Sequence, residues 1–145
     1  MHRPEENTFL TISKLIPASA ERLFEAWTEP EQLKQWWGPA SVTCIEAEVD
    51  LRVGGRYRIG NRFPDGKLVW ISGTFRMIDR PRKLVYTCQI APDAPEELVT
   101  VIFRTTKPGE CEVTVMHERI PDRSTRGTHE VGWVGCLAKL ARYLN

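Results

Sequence analysis

The segment STRGTHEVGWVGCLAKLARYLN, residues 124 to 145, is the one stretch of this chain long and regular enough to form a full-length core helix. At about 100° per residue, four bulky side chains fall within about 60° of one another: Trp133, Leu137, Leu140 and Leu144. A neighbouring stripe carries small side chains, those of Val131, Val134, Ala138 and Ala141. The bulky stripe predicts packing on a sheet. The small stripe fits either close packing or one wall of an internal cavity.

The chain before this segment begins with a strand and two short helices. Residues 8–16 alternate in the manner of a strand, and residues 20–28 show helical spacing of their apolar side chains. Thr28 and Glu31 match a capping box for a second, shorter helix, which Gly38-Pro39 should end. The sequence therefore predicts a helical corner between the first strand and the rest of the sheet.

Period-two patterns then predict six further strands. The turns between them carry Gly, Pro and Asp, and no second long helix interrupts the pattern. Short connections of this kind indicate an antiparallel meander. The expected strands lie near residues 42–50, 55–62, 68–78, 83–90, 98–106 and 111–119.

Charged residues fix the register of the first predicted hairpin of this run. An odd-length turn sets Glu48 opposite Arg58 and Asp50 opposite Arg56, with both pairs facing solvent. Cross-strand pairs of opposite charge account for these arginines without an anionic ligand. The pattern favours a balanced surface over a phosphate-binding patch.

Composition limits the classes of partner. A chain of 145 residues with 41% apolar content is expected to form a single domain, residues 1–145. Its net charge of +1 gives no electrostatic case for nucleic acid or an anionic membrane. No apolar segment has the length of a signal core or a membrane span, so a cytoplasmic location is expected.

The cysteines and histidines do not form a metal-binding or redox motif in the sequence. Four widely separated cysteines give no C-x-x-C pair, and reduced, mostly buried thiols are expected. The three histidines are His2, His117 and His129, and none lies four residues from another. We therefore expect no metal and no cofactor, and no Ser-His-Asp or Cys-His arrangement can be identified.

Strand parity gives the inner face of the sheet. With the charged positions outward, Met77 and Asn61 fall on the inner face and Glu118 falls outside. Together with the terminal helix, this face predicts a ligand-binding cavity. Its predicted walls are Trp37, Tyr57, Ile71, Phe75, Tyr86, Cys88, His117, Trp133, Val134, Leu137 and Ala138.

Several segments resemble a known family. They are ERLFEAWT at 21–28, WWGP at 36–39, DLRVGGRY at 50–57, PRKLVYT at 81–87, and GW at 132–133 with LAKL at 137–140. The order of elements resembles the helix-grip fold of the START/SRPBCC superfamily, which includes the birch-pollen allergen. The segments themselves resemble the activator of heat-shock protein 90 ATPase homologue family over nearly the whole chain.

The resemblance implies an α+β helix-grip fold, in which a curved antiparallel sheet of about seven strands wraps around the long C-terminal helix. Two short helices after the first strand close one end, and a cavity lies between. The chain departs from the family pattern at Cys88, where relatives often carry tryptophan. Cys111 also follows Gly109-Glu110 where a Gly-Gly-Thr turn is usual. The change at Cys88 would alter the cavity wall.

Three functions remain open from the sequence. The leading hypothesis is binding of a small hydrophobic or aromatic molecule in the cavity, with no assigned reaction and no catalytic residue. The second is a protein-interaction module of co-chaperone type, with a chaperone or a second copy as partner, for which Trp36-Trp37 is the candidate apolar surface. The third is a cyclase-like or hydrolase-like enzyme that uses His117 or Tyr86 in the same cavity.

Overall fold

The computed structural model describes residues 8–38 and 41–145. His2 and Pro39, which entered the sequence interpretation, lie outside these residues. The elements in chain order are β1 (Thr8–Ile16), α1 (Ala20–Thr28), α2 (Pro30–Trp36), β2 (Thr43–Val49), β3 (Arg56–Arg62), β4 (Leu68–Asp79), β5 (Lys83–Cys88), β6 (Glu97–Lys107), β7 (Glu110–Ile120) and α3 (Arg123–Leu144).

The strands form one antiparallel sheet. Its order is β1-β7-β6-β5-β4-β3-β2, so consecutive strands pair from β2 to β7 and β1 closes the far side against β7. The helices α1 and α2 connect the two edge strands, and α3 packs against the sheet. This arrangement confirms the predicted α+β helix-grip fold.

Side-chain caps begin two of the helices. Ser19 Oγ accepts from the Arg22 N–H at 3.1 Å, and Asp122 Oδ1 accepts from the Thr125 N–H at 2.7 Å. The predicted capping box at Thr28 is wrong. Thr28 is the last residue of α1, and its hydroxyl donates to the Phe24 carbonyl at 2.8 Å instead of capping α2.

The register of the β2–β3 hairpin is as predicted. Glu48 lies opposite Arg58, with 3.3 Å between the carboxylate and the guanidinium, although the Asp50 carboxylate bonds Arg52 at 2.8 Å. Inward placement of Met77 is wrong, since this side chain is 45% exposed. A bulge between Phe75 and Met77 shifts the pairing of β4 with β5 and reverses the parity beyond it.

The bulky stripe of α3 packs on the sheet as expected. Trp133, Leu137 and Leu140 are buried, and Leu144 packs partly buried against the same core. The valines of the small stripe do not face the sheet, because Val134 is 54% exposed and Val131 is exposed as well, whereas Ala141 packs partly buried against the core. The predicted cavity role of Val134 is therefore wrong.

The geometry of α3 explains this error. At about 100° per residue, Val134 and Gly132 lie on opposite flanks of Trp133. Helical periodicity treats the two flanks alike. The flank of Gly132 and Cys136 faces the interior and the flank of the valines faces solvent.

A cluster of aromatic rings fills the corner that α1 and α2 make. Trp27 lies 4.9 Å from Trp36 and 6.0 Å from Trp133 between ring centroids, and Trp37 lies 5.7 Å from Trp133. Trp36 also donates its indole N–H to the Ala26 carbonyl at 2.9 Å. Both tryptophans of the Trp36-Trp37 pair are buried, so they pack the core and do not form an exposed surface. None of the described helices is long and apolar enough to cross a bilayer.

Truncation of the bulky stripe tests how far the fold depends on α3. Leu137→Ala and Leu140→Ala should each lower the free energy of unfolding by about 2–5 kcal/mol, because both side chains are fully buried. Val134→Ala is the matched control and should change it by less than about 0.5 kcal/mol. Urea melts measure all three, and losses below about 1 kcal/mol at both leucines would contradict a central role for this helix.

Candidate functional site

A cavity of about 230 Å³ lies between the sheet and the flank of α3 that carries Gly132. Strands β3, β4, β5 and β7 supply one side of it and α3 supplies the other. Phe63 and Thr128, both partly open to solvent, stand at its edge. Its lining is Trp37, Gly38, Val42, Asn61, Phe63, Ile71, Cys88, Ile90, His117, Thr128, His129, Gly132, Trp133 and Cys136.

A second, much smaller pocket of about 20 Å³ lies deeper in the aromatic core. A water molecule needs about 10–15 Å³ on this measure, so the space is too small for an organic ligand. Tyr57 donates its hydroxyl to the Thr87 carbonyl at 2.6 Å, and Trp27 donates to the Tyr86 hydroxyl at 3.3 Å. We conclude that this pocket belongs to the packed core.

The predicted cavity residues divide between these two spaces. Trp37 lines both. Tyr57, Phe75 and Tyr86 line only the small pocket. The main cavity receives Ile71, Cys88, His117 and Trp133. Leu137 and Ala138 line neither space, and as ligand contacts all of these residues stay predictions.

Four wall residues on α3 were missed by the sequence interpretation: Thr128, His129, Gly132 and Cys136. His129 precedes Trp133 by four residues, so helical spacing already places the two on one face. Gly132 belongs to neither predicted stripe, and a Cβ atom added there would meet no other atom within 4 Å. The open space that the sequence assigned to the valine and alanine stripe therefore lies in front of Gly132.

A buried carboxylate and two histidines meet at one end of the cavity. Glu97 Oε1 accepts from His117 Nε2 at 2.6 Å and from His129 Nε2 at 2.9 Å. The two imidazole rings are stacked, with centroids 4.5 Å apart. Trp133 donates its indole N–H to His117 Nδ1 at 3.0 Å. We call these four residues the Glu97 network.

Glu97 was expected in the turn before the strand predicted near residues 98–106. It is instead the first residue of β6, and its side chain is only 1% exposed. Residues Glu97, Val99 and Val101 share the inner face of that strand. Because side chains alternate along a strand, the alternation that places Val99 and Val101 inward also places Glu97 inward, and this signal was available in the sequence.

Protonation states follow from these contacts. Burial alone would raise the pKa of Glu97, but the hydrogen bonds from His117 and His129 outweigh it and hold the pKa below its ordinary value of 4.5. Burial lowers the pKa of His117 below 6.5, although the Glu97 carboxylate opposes this shift. At pH 7 the network therefore contains a carboxylate and a neutral His117.

Glu97, His117 and His129 have ligand atoms within 4.8 Å of one another, a donor set that zinc or iron can use. The contact with Trp133 opposes this use. An indole N–H only donates, so His117 Nδ1 holds the lone pair and Nε2 holds the proton. To bind a metal beside Glu97, His117 would have to coordinate it through Nε2 and donate a proton from Nδ1. The Trp133 N–H next to Nδ1 cannot accept that proton. The arrangement suits a hydrogen-bond network, and the absence of a metal stays a prediction.

The cysteines of the cavity wall are poor nucleophiles. All four cysteines are free and buried. Burial raises the pKa of Cys88 to about 12 and that of Cys136 to about 11, so neither forms a thiolate at pH 7. Covalent chemistry through these thiols is not supported by their surroundings.

A curved antiparallel sheet closed by a long C-terminal helix over an apolar cavity defines the helix-grip class of proteins. Within that class, the family model described as "Activator of Hsp90 ATPase homolog 1-like protein" matches residues 17–145. The chain belongs to this family. Among curated proteins, no sequence matches it.

Solved structures share the fold. A protein from Chromobacterium violaceum is 23% identical with a TM-score of 0.85, and the match covers 94% of this chain and 97% of that one. An AHSA1 protein from Silicibacter pomeroyi is 24% identical with a TM-score of 0.84, over the same shares of the two chains. An HSP90 activator from Plasmodium falciparum is 25% identical with a TM-score of 0.71, over 91% of this chain and 92% of that one.

Removing the charge of Glu97 tests the network. Glu97→Gln should lower the free energy of unfolding at pH 7 by about 1.5–3 kcal/mol, the usual contribution of a hydrogen bond to a charged group. The variant also loses the carboxylate that opposes the lowering of the pKa of His117. The NMR titration midpoint of His117 should therefore lie below 6.5 in the wild type and fall further in Glu97→Gln.

The pH dependence follows with a definite sign. A histidine whose folded pKa is depressed destabilises the fold as the pH falls below its unfolded value of 6.5. Stability should thus decline more steeply from pH 7 to pH 6 in Glu97→Gln than in the wild type. Glu96→Gln, an exposed neighbour, is the control and should follow the wild type. A His117 midpoint that does not move in Glu97→Gln contradicts the proposed coupling.

Proposed function

We propose that this chain is a single-domain binding protein that holds a small, mainly apolar molecule in the 230 Å³ cavity between the sheet and α3. The observation that carries the proposal is the cavity itself, with its aromatic and aliphatic walls and few polar groups. Ligand sites in proteins have this character, because apolar walls supply affinity and a few polar groups supply orientation.

The volume indicates the size of the ligand. A dry apolar cavity of about 150 Å³ in another protein binds benzene. In proportion, a cavity of 230 Å³ fits a molecule of about two fused rings or a short branched chain. Trp37 and Trp133, with ring centroids 5.7 Å apart, both line the cavity and offer faces or edges for an aromatic ligand.

The hydrogen bonding and burial of His117 and Tyr86, the two candidate acid–base residues, favour binding over catalysis. Both ring nitrogens of His117 are engaged, one by Glu97 and one by Trp133. Tyr86 lines the small pocket, and burial raises the pKa of its hydroxyl. Neither group is free to exchange a proton with a molecule in the main cavity at pH 7.

A co-chaperone role is the second candidate. It is favoured by the family to which the chain belongs and by its likeness to the HSP90 activator from Plasmodium falciparum. Burial of the Trp36-Trp37 pair removes the apolar surface that the sequence offered for this role. A chaperone partner would therefore have to use another face.

Filling the cavity from α3 tests the binding proposal. Gly132→Phe places a ring in the space in front of Gly132, where a Cβ atom meets nothing within 4 Å. We expect the wild type to bind an uncharged two-ring naphthylamine dye, whose fluorescence rises in apolar surroundings. Binding to Gly132→Phe should be at least about tenfold weaker, because the added ring occupies most of the cavity. The variant should still unfold cooperatively, since glycine is a poor helix former.

Gly127→Phe is the matched control, because Gly127 also lies in α3 with open space at its Cβ but outside the cavity. It should bind the dye as the wild type does. Absence of dye binding to the wild type, or equal binding to all three proteins, would count against the proposal. A rise in ATP hydrolysis by an Hsp90-type chaperone that Gly132→Phe leaves unchanged would instead favour the co-chaperone role.

A further inference from the structure

Asn61 presents an unpaired acceptor in the cavity. This residue of β3 is 4% exposed and lines the cavity. Its side-chain oxygen is the one buried side-chain polar atom without a hydrogen-bond partner among residues 8–38 and 41–145. Buried polar groups in native proteins are almost always paired, and one left unpaired is costly.

The surroundings of Asn61 offer it no donor. In the sheet it lies opposite Cys44 on β2 and Val69 on β4. Donors elsewhere in the cavity wall have other partners, since both imidazole Nε2 groups bond Glu97 and the Thr128 hydroxyl donates to the Ser124 carbonyl at 3.2 Å. The carboxamide oxygen is therefore available to whatever occupies the cavity.

We propose that the cavity selects a small apolar molecule that carries one uncharged hydrogen-bond donor, such as a phenol or an alcohol, and that the donor bonds the side-chain oxygen of Asn61. This inference rests on the proposed function and specifies its ligand class. The donor replaces the partner that the protein itself does not supply, while the apolar body of the ligand contacts Ile71, Trp37 and Trp133.

The rest of the wall supports an uncharged ligand. The charge in the Glu97 network is already bonded by two imidazole N–H groups, so it offers no free anion for a cationic ligand. Among the described lining residues there is no lysine or arginine that would bind an anion. Discrimination among ligands would come from the donor, because a site built to bond a hydroxyl rejects analogues that lack one.

The test compares two probes of equal shape, 2-naphthol and 2-methylnaphthalene, in equilibrium dialysis. For each protein we take the ratio of the two dissociation constants, which cancels effects on packing. Asn61→Leu should reduce the preference for 2-naphthol on the order of tenfold relative to the wild type. Ile71→Val, a change in the apolar wall, should weaken both probes alike and keep the ratio. If Asn61→Leu does not fold, Asn61→Ala serves the same comparison.

Each outcome decides the question. A ratio that Asn61→Leu lowers and Ile71→Val preserves supports the inference. A ratio equal in the wild type and Asn61→Leu overturns it but leaves apolar binding intact. Preference of the wild type for 2-methoxynaphthalene, which accepts but does not donate, over 2-naphthol also overturns it. Failure of every probe to bind the wild type overturns the proposed function itself.

Thermal melts without ligand give an independent measure. If Asn61 serves a ligand, the empty protein carries an unsatisfied polar group, and Asn61→Leu should melt at a higher temperature than the wild type. A lower melting temperature for both Asn61→Leu and Asn61→Ala would show that Asn61 stabilises the fold, and would overturn the assignment to a ligand.

Discussion

The hydrogen bond from the Trp133 indole to His117 Nδ1 fixes the helix to the sheet. An indole has one donor, and when it is buried it needs one acceptor in one direction. The same ring stacks on Trp27 and meets Trp37 edge-on. The bond and the two ring contacts together set the rotation of α3 about its own axis. That rotation turns Gly132 toward the interior and the valines outward, and so places the cavity on one flank of the helix.

The Glu97 network is stable because every group in it has a defined role. A carboxylate taken out of water is costly unless charge-assisted bonds replace its hydration. His117 and His129 supply two such bonds, and Trp133 completes the chain by fixing the tautomer of His117. Both ring nitrogens of His117 are bonded within the network, so this imidazole has no atom free for a ligand or a metal. The network therefore stiffens one end of the apolar cavity.

The sequence predicted the elements well because each carries a local signal. Alternation, turn residues and helical spacing placed the bounds of nearly every strand and helix within two residues of those observed. Apart from the cap at Thr28, the failures concern contacts between distant parts of the chain. Local pattern does not reveal the bulge before Met77, and it does not choose between the two flanks of α3. Glu97 and His129 are separated in sequence by a hairpin and meet only because β6 and α3 converge beside β7.

The contrast between the Glu97 network and Asn61 bears on how one fold serves many functions. The network is needed by the structure, because removing any member would leave a buried partner unsatisfied. Asn61 is different, since no described side chain or backbone group pairs with its oxygen. A buried polar side chain that does not stabilise the fold is expected to serve a purpose other than folding. In the function proposed here, fold and ligand choice are thus separable, because Trp133 and its partners set the fold and a few wall positions such as Asn61 select the ligand.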